Sequence, residues 1–272
     1  MNMPLKRATL RLADTRELSY IEHGDPHGIP LIFLHGLADS CHTFDLLFAC
    51  FPEQLRTLAY TQRGHDGIDL PGLSYRTEDF ETDLLQFMDA KAIEKAFIAG
   101  ASSGGFAARN FAAKYPERTV GLILIGSPSE LGNQPEIVAI HESTLSHLTD
   151  PVSPEFIRKF TGGLFNKPVP ADFLEKMFHE IQNVPARVWR ETSEAALNEK
   201  FPGFLHQVTA PALIISGKED PIASQEDQQK LSSAIVNSQL CILPQLGHML
   251  YWEGPPEVAK AITQFVDKAQ KS

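Results

Sequence analysis

The stretch Phe97-Ile98-Ala99-Gly100-Ala101-Ser102-Ser103-Gly104-Gly105-Phe106 reads as a buried strand that breaks at a turn of small residues and continues as a helix. Within it, Gly100, Ser102 and Gly104 spell G-x-S-x-G. A serine on so tight a turn has a strained backbone, and side chains on either side of it would collide with the strand or the helix, so glycines are needed there. A dinucleotide-binding loop would need G-x-G-x-x-G, and Gly100, Gly104 and Gly105 have the wrong spacing for it. The chemically silent alternatives are a plain serine- and glycine-rich turn or an anion-binding helix N-terminus. Ser102 holds the centre of the motif, whereas Ser103 fits only as G-x-x-S.

Outward from this turn, the chain alternates strands and helices. Leu31-Ile32-Phe33-Leu34, Ala96 to Ala99, Val120 to Ile125 and Ala212 to Ile215 are short continuous apolar runs, the pattern of strands buried on both faces of a parallel sheet. Between them lie helical stretches, Glu78 to Met88 with Phe80, Leu84, Leu85 and Phe87 recurring, and the alanine-rich Phe106 to Lys114. Ala8 to Ala13 and Leu18 to Glu22 predict a hairpin turning at Asp14-Thr15. Gln239 to Leu243 predicts a last strand, and Pro256 to Ala269 a closing helix. From about Ser127 to Gln207 there is no strand-like run. Helical pieces are separated there by Pro151, Pro154, Pro168, Pro170 and Pro185, which predicts a helical insertion. Its aromatics, Phe156, Phe160, Phe165, Phe173, Phe178 and Trp189, are expected to be mainly core, with a minority lining a pocket at the strand ends.

A serine hydroxyl attacks only if a base takes its proton and a carboxylate holds that base in the useful tautomer. The elbow predicts the chain order serine, acid, histidine. Gly217-Lys218-Glu219-Asp220-Pro221 follows the strand Ala212 to Ser216 and offers Asp220, with Glu219 as neighbouring rival and Glu130 as a distant one. His248, in Leu246-Gly247-His248-Met249, follows the last strand and is the candidate base among 10 histidines. His206 precedes Asp220, while His23, His35, His42 and His65 precede the serine; His35 is read as a loop-shaping residue. The oxyanion needs two donors. They are expected at the backbone N–H of Ser103 and at that of Leu37, in the loop His35-Gly36-Leu37.

Composition narrows the partner. The chain has 272 residues, 43% of them hydrophobic, enough for one large core. Against 34 acidic residues stand 24 basic ones, a formal charge of −10, which lacks the basic footprint of nucleic-acid or anionic-membrane binding. A small organic substrate fits better. The opening MNMPLKRATLRLAD has no apolar core of signal length and no run elsewhere would span a bilayer, which predicts a soluble, cytoplasmic protein. Cys41, Cys50 and Cys241 are odd in number without C-x-x-C spacing, so neither disulfides nor zinc are expected and all three are read as small core residues.

Together these motifs resemble the α/β-hydrolase superfamily: H-G after an early buried strand, R-G-H after the next, G-x-S-x-G, G-x-x-D, and G-H near the end. Gly-His followed by Met-Leu-Tyr-Trp-Glu is similar to the capped branch of ester hydrolases, lactonases, C–C bond hydrolases and cofactor-free haloperoxidases. The resemblance implies the α/β-hydrolase fold, a mostly parallel central sheet flanked by helices. It implies a core of residues 1–126 and 208–272, with residues 127–207 as a helical cap inserted after the sixth strand. It implies Ser102, His248 and Asp220 as catalytic residues, with no metal or organic cofactor. Thr61-Gln62 before Arg63-Gly64-His65, and Asp66 after it, depart from the family pattern in that loop alone. Ester or lactone hydrolysis is the leading expectation. C–C hydrolysis is the rival, for which Arg187, Arg190 and Trp189 would bind a carboxylate, and a ligand receptor on the same fold is the non-enzymatic one.

Overall fold

The computed structural model describes residues 5–69 and 72–271, so Met1 to Pro4 of the N-terminal stretch lie outside the described residues. β1 (Lys6–Arg11) and β2 (Glu17–His23) form an antiparallel hairpin in which Arg11 pairs with Glu17. The Leu12 N–H donates to the Arg16 carbonyl at 2.8 Å, so β1 ends at Arg11 and not at Ala13. Thr15 turns the corner in the left-handed region at φ +73°.

Next come β3 (Ile29–Leu34), β4 (Leu55–Tyr60), β5 (Ala96–Ala101), β6 (Thr119–Ile125), β7 (Ala212–Gly217) and β8 (Ser238–Leu243). The sheet order is β1-β2-β4-β3-β5-β6-β7-β8. β2 pairs antiparallel with β4, and every pairing from β4 to β8 is parallel. The apolar-run criterion passes over β4, which the family pattern alone places ahead of Arg63. Arg56 and Thr57 break the run, and the sheet accepts Arg56 because its guanidinium reaches Glu22 on β2 at 2.7 Å.

The helices are α1 (Asp45–Phe48), α2 (Thr77–Ala90), α3 (Gly104–Lys114), α4 (Pro135–Ser143), α5 (Pro154–Gly162), α6 (Ala171–Gln182), α7 (Ala186–Asn198), α8 (Gln225–Ala234), α9 (Leu250–Glu253) and α10 (Pro255–Ala269). Because side chains alternate across a strand, each central strand supplies both faces. Ile32, Ile98, Leu122 and Ile214 pack with Leu84 and Phe87 of α2 and Phe111 of α3. Phe33, Phe97, Ile123 and Ile215 pack with Phe48 of α1 and Ile262 and Val266 of α10. Each such side chain, once fully buried, contributes about 1.5–3 kcal/mol. Two covered faces explain why these strands are continuously apolar.

Helices α4 to α7 all lie between β6 and β7, where no strand occurs among the described residues. Prolines begin them, Pro135 and Pro154 at the first helical position and Pro170 and Pro185 just before, where a missing N–H costs nothing. The cysteine expectation holds only in part: Cys41 is buried, but Cys241 is half-buried and Cys50 is exposed. Cys50 follows the short helix α1, and its thiol turns back to the Leu46 carbonyl at 3.4 Å.

Candidate active site

The elbow places Ser102 directly after β5 with φ +50°, a left-handed conformation costing an L-residue about 1–2 kcal/mol. Its N–H is held by the Ile125 carbonyl at 3.0 Å. A Cβ on Gly104 would sit 2.4 Å from the His35 carbonyl oxygen, and one on Gly100 2.5 Å from that of Gly104, so no larger residue fits either position. The strand end therefore fixes the serine hydroxyl at the edge where β3, β6 and β7 also stop.

His248 and Asp220 reach that hydroxyl from two other loops. The Ser102 Oγ lies 2.8 Å from His248 Nε2, and His248 Nδ1 lies 3.0 Å from both Asp220 carboxylate oxygens. Asp220 Oδ1 also accepts the N–H groups of Ile222 at 2.8 Å and Ala223 at 2.9 Å, which hold the carboxylate still. Both side chains are buried. The arrangement can move a proton from Ser102 to His248 while Asp220 accepts from Nδ1–H.

The rival residues are placed elsewhere. Glu219 is exposed, and Glu130 sits 4.0 Å from Lys230. His206 is exposed, and His42 pairs with Asp45. His35 and His65 pack edge-on, ring centres 4.9 Å apart; His35 Nε2 accepts the Gln62 N–H at 2.9 Å, a loop-shaping contact. Burial pushes the His65 imidazole down to about 4 and His35 well below its ordinary value, so both stay neutral. Gln62 also donates its side-chain amide to the His35 carbonyl at 2.8 Å, and Arg63 pairs with buried Asp83, so the departure around R-G-H leaves an ordered loop.

Gly36 and Leu37 pass close over the serine: a Cβ on Gly36 would lie 3.1 Å from the Ser102 Cβ. Among the described residues, neither the Leu37 nor the Ser103 N–H donates to another protein group. Ser103 also stands at the N-terminal position just before α3, whose dipole favours negative charge beside Ser102.

Two features escaped the sequence reading. Leu164, in the helical segment between β6 and β7, accepts the N–H groups of His248 at 2.9 Å and Met249 at 3.1 Å. Glu253 in α9 accepts the Gly247 N–H at 2.9 Å and the N–H groups of Asn166 at 3.0 Å and Lys167 at 3.1 Å. These contacts pin the histidine loop to that segment. Glu253 stands in the Met-Leu-Tyr-Trp-Glu run, but only tertiary contact shows what it holds.

Ser102 and His248 open on a cavity of about 980 Å³, its mouth included. Leu131, Ile137 and Ile140, then Phe160, Leu164 and Trp189, bring the helical segment onto it, facing Tyr251 and Trp252. Phe160 and Trp189 are thus the aromatics of the insertion that reach the pocket. Among the described residues no three His, Cys, Asp or Glu side chains converge as metal ligands, and no helix is long and apolar enough to cross a membrane.

A third residue that escaped the sequence reading, Asp39, stands on the cavity wall. Burial raises its carboxyl from 3.8 to about 7, Thr43 and the Ser40 N–H pull it back, and the Glu180 charge adds to the rise. Between about pH 4 and 7 the folded chain therefore holds a proton that the unfolded chain has released, and stability falls as pH rises through that window. Asp39→Asn is expected to remove this slope. Melting temperatures across the window should move steadily in the variant's favour relative to the parent; a constant difference would count against a buried titrating carboxyl.

A family model described as the α/β hydrolase fold matches residues 29–255. The chain belongs to the α/β-hydrolase family. It is similar to the 3-oxoadipate enol-lactonase 2 of Acinetobacter baylyi, 26% identical over 90% of this chain and 91% of that one. The 2-(acetamidomethylene)succinate hydrolase of Mesorhizobium japonicum is 22% identical over 87% of each chain. An esterase from Exiguobacterium antarcticum shares the fold with a TM-score of 0.84 at 19% identity, over 96% of this chain and all 100% of its own. The α/β hydrolase is accordingly an enzyme, and its sheet and flanking helices are those of the family.

Proposed function

We propose that this α/β hydrolase cleaves carboxylic esters or lactones through an acyl-enzyme on Ser102. The observation that carries the reading is the continuous hydrogen-bonded line from Ser102 Oγ through His248 to Asp220, ending at the cavity. In this reading His248 Nε2 takes the hydroxyl proton as Ser102 attacks the carbonyl carbon. The oxygen takes on negative charge between the N–H groups of Leu37 and Ser103. His248 then returns the proton to the leaving alkoxide, and a water attacks the acyl-enzyme by the same route.

Residues 127–207 act as the cap, supported by the six apolar side chains named above that they turn onto the cavity. Against C–C hydrolysis stand the arginines that would bind a carboxylate. Arg187 is engaged by Asp69 and Glu191, and Arg190 donates to the Leu148 carbonyl. Neither lines the cavity among the described residues.

An assay with p-nitrophenyl butyrate, γ-butyrolactone and a dienol-carboxylate ring-cleavage product separates the possibilities. Turnover of the ester or the lactone, at least tenfold above that of the ring-cleavage product, is expected. Preference for the ring-cleavage product would move the assignment to C–C hydrolysis. A ligand that raises the melting temperature without being consumed, with no turnover of any substrate, would favour a receptor.

A further inference from the structure

Its lining makes the cavity unlike one built for an anion. Among the described residues no lysine or arginine lines it, and the carboxylate that does is Asp39. Of the other polar groups on the wall, Ser193 and His141 are tied to each other, while the Trp189 Nε1 donor has no partner among the described residues. Ser193 donates its hydroxyl to the Arg190 carbonyl at 2.9 Å, and His141 Nδ1 lies 3.0 Å from that hydroxyl oxygen. Apart from Thr161 and the elbow and histidine residues already described, the rest is aliphatic and aromatic.

Asp39 is held in place from the protein side. Its Oδ1 accepts the Ser40 N–H at 2.9 Å, and Ser40 in turn donates its hydroxyl to Glu180 on α6. Nearby, Trp252 Nε1 donates to the Thr43 hydroxyl at 2.8 Å. Only 5% of Asp39 is exposed, so water screens it little. A substrate carboxylate entering this space would lose its hydration with no cation to receive it, and above about pH 7, where Asp39 is ionised, it would meet a like charge across a poorly screened gap.

We infer that the site takes neutral, apolar esters or lactones and that Asp39 is the specificity residue that turns away substrates bearing a free carboxylate. This inference rests on the ester-hydrolase reading and narrows it. It parts company with the two relatives above, which are named for adipate- and succinate-derived compounds, dicarboxylic in parentage. A wall without a cation and with one buried carboxylate is a property of this chain's own residues.

The test uses a matched pair, the mono-p-nitrophenyl ester of adipic acid and the same ester with its free carboxyl methylated. At about pH 8 the Asp39 carboxyl is ionised, as is that of the free-acid substrate. The parent enzyme is expected to favour the methylated ester in kcat/KM by at least tenfold. Asp39→Asn, which keeps the shape and removes the charge, is expected to shrink that ratio roughly tenfold, since like-charge contacts are what set such preferences. Asp39→Ser serves the same purpose should the asparagine variant fold poorly, and Asp39→Glu should retain the discrimination.

A parent ratio near one, or a preference for the free acid, overturns the inference on its own while leaving ester hydrolysis standing. A high ratio unchanged in both uncharged variants overturns the role of Asp39. Failure to hydrolyse either ester, with Ser102 unlabelled by a fluorophosphonate, would instead remove the ester-hydrolase reading beneath it.

Discussion

Ser102→Ala is expected to lower ester turnover by on the order of 10⁵- to 10⁶-fold, to the level supplied by binding and oxyanion stabilisation alone. The expectation follows from what the variant removes. His248 and Asp220 keep their mutual contact, since each is held by its own backbone partners, Leu164 for the histidine and Ile222 and Ala223 for the carboxylate. Only the nucleophilic atom disappears. The fold should persist, because alanine tolerates the turn about as well as serine and the glycines that make it possible are untouched. Turnover of p-nitrophenyl butyrate, read beside the melting temperature, decides it. A folded variant within a hundredfold of the parent would mean that another group attacks the carbonyl.

The features that the sequence made legible are those whose geometry is locally dictated. Gly100 and Gly104 had to be glycine because a Cβ there meets backbone within 2.6 Å, so the motif and its strand-turn-helix context announce one another. Continuous apolar runs revealed β3, β5, β6 and β7 because helices cover both sheet faces. β4 was illegible by that criterion, since Arg56 is tolerated only through a partner on β2, a contact remote in sequence. Arg187 and Arg190 were candidate carboxylate binders under the C–C reading alone, and only the tertiary structure shows Asp69 and the Leu148 carbonyl engaging them. Asp39 was missed for the opposite reason. In Gly36-Leu37-Ala38-Asp39-Ser40 an acid among small residues looks like an exposed turn, and nothing local records that the fold buries it with Glu180 of α6 nearby.

Chain order could not choose between Glu219 and Asp220, and the paired variants Asp220→Asn and Glu219→Gln make that choice in the test tube. Asp220→Asn is expected to lower kcat by about 10⁴-fold, equivalent to roughly 5.5 kcal/mol of barrier. Oδ1 of the carboxylate is committed to the Ile222 and Ala223 N–H groups, so an asparagine oxygen would stay there and its amide nitrogen would face His248 Nδ1. An amide donates where the carboxylate accepted. The imidazole would then have to present a lone pair at Nδ1 and carry its proton on Nε2, where it can no longer accept from the Ser102 hydroxyl 2.8 Å away. The loss is therefore one of tautomer as well as charge, and it should appear in kcat far more than in KM. Glu219 points to solvent, and its ties to the site run through its backbone, the N–H to the Leu246 carbonyl and its own carbonyl toward Asn166. Glu219→Gln should change kcat less than about twofold, as expected for an exposed side chain without a partner role. A folded Asp220→Asn enzyme retaining more than a tenth of parental kcat, or inactivation by Glu219→Gln, would transfer the orienting role away from Asp220.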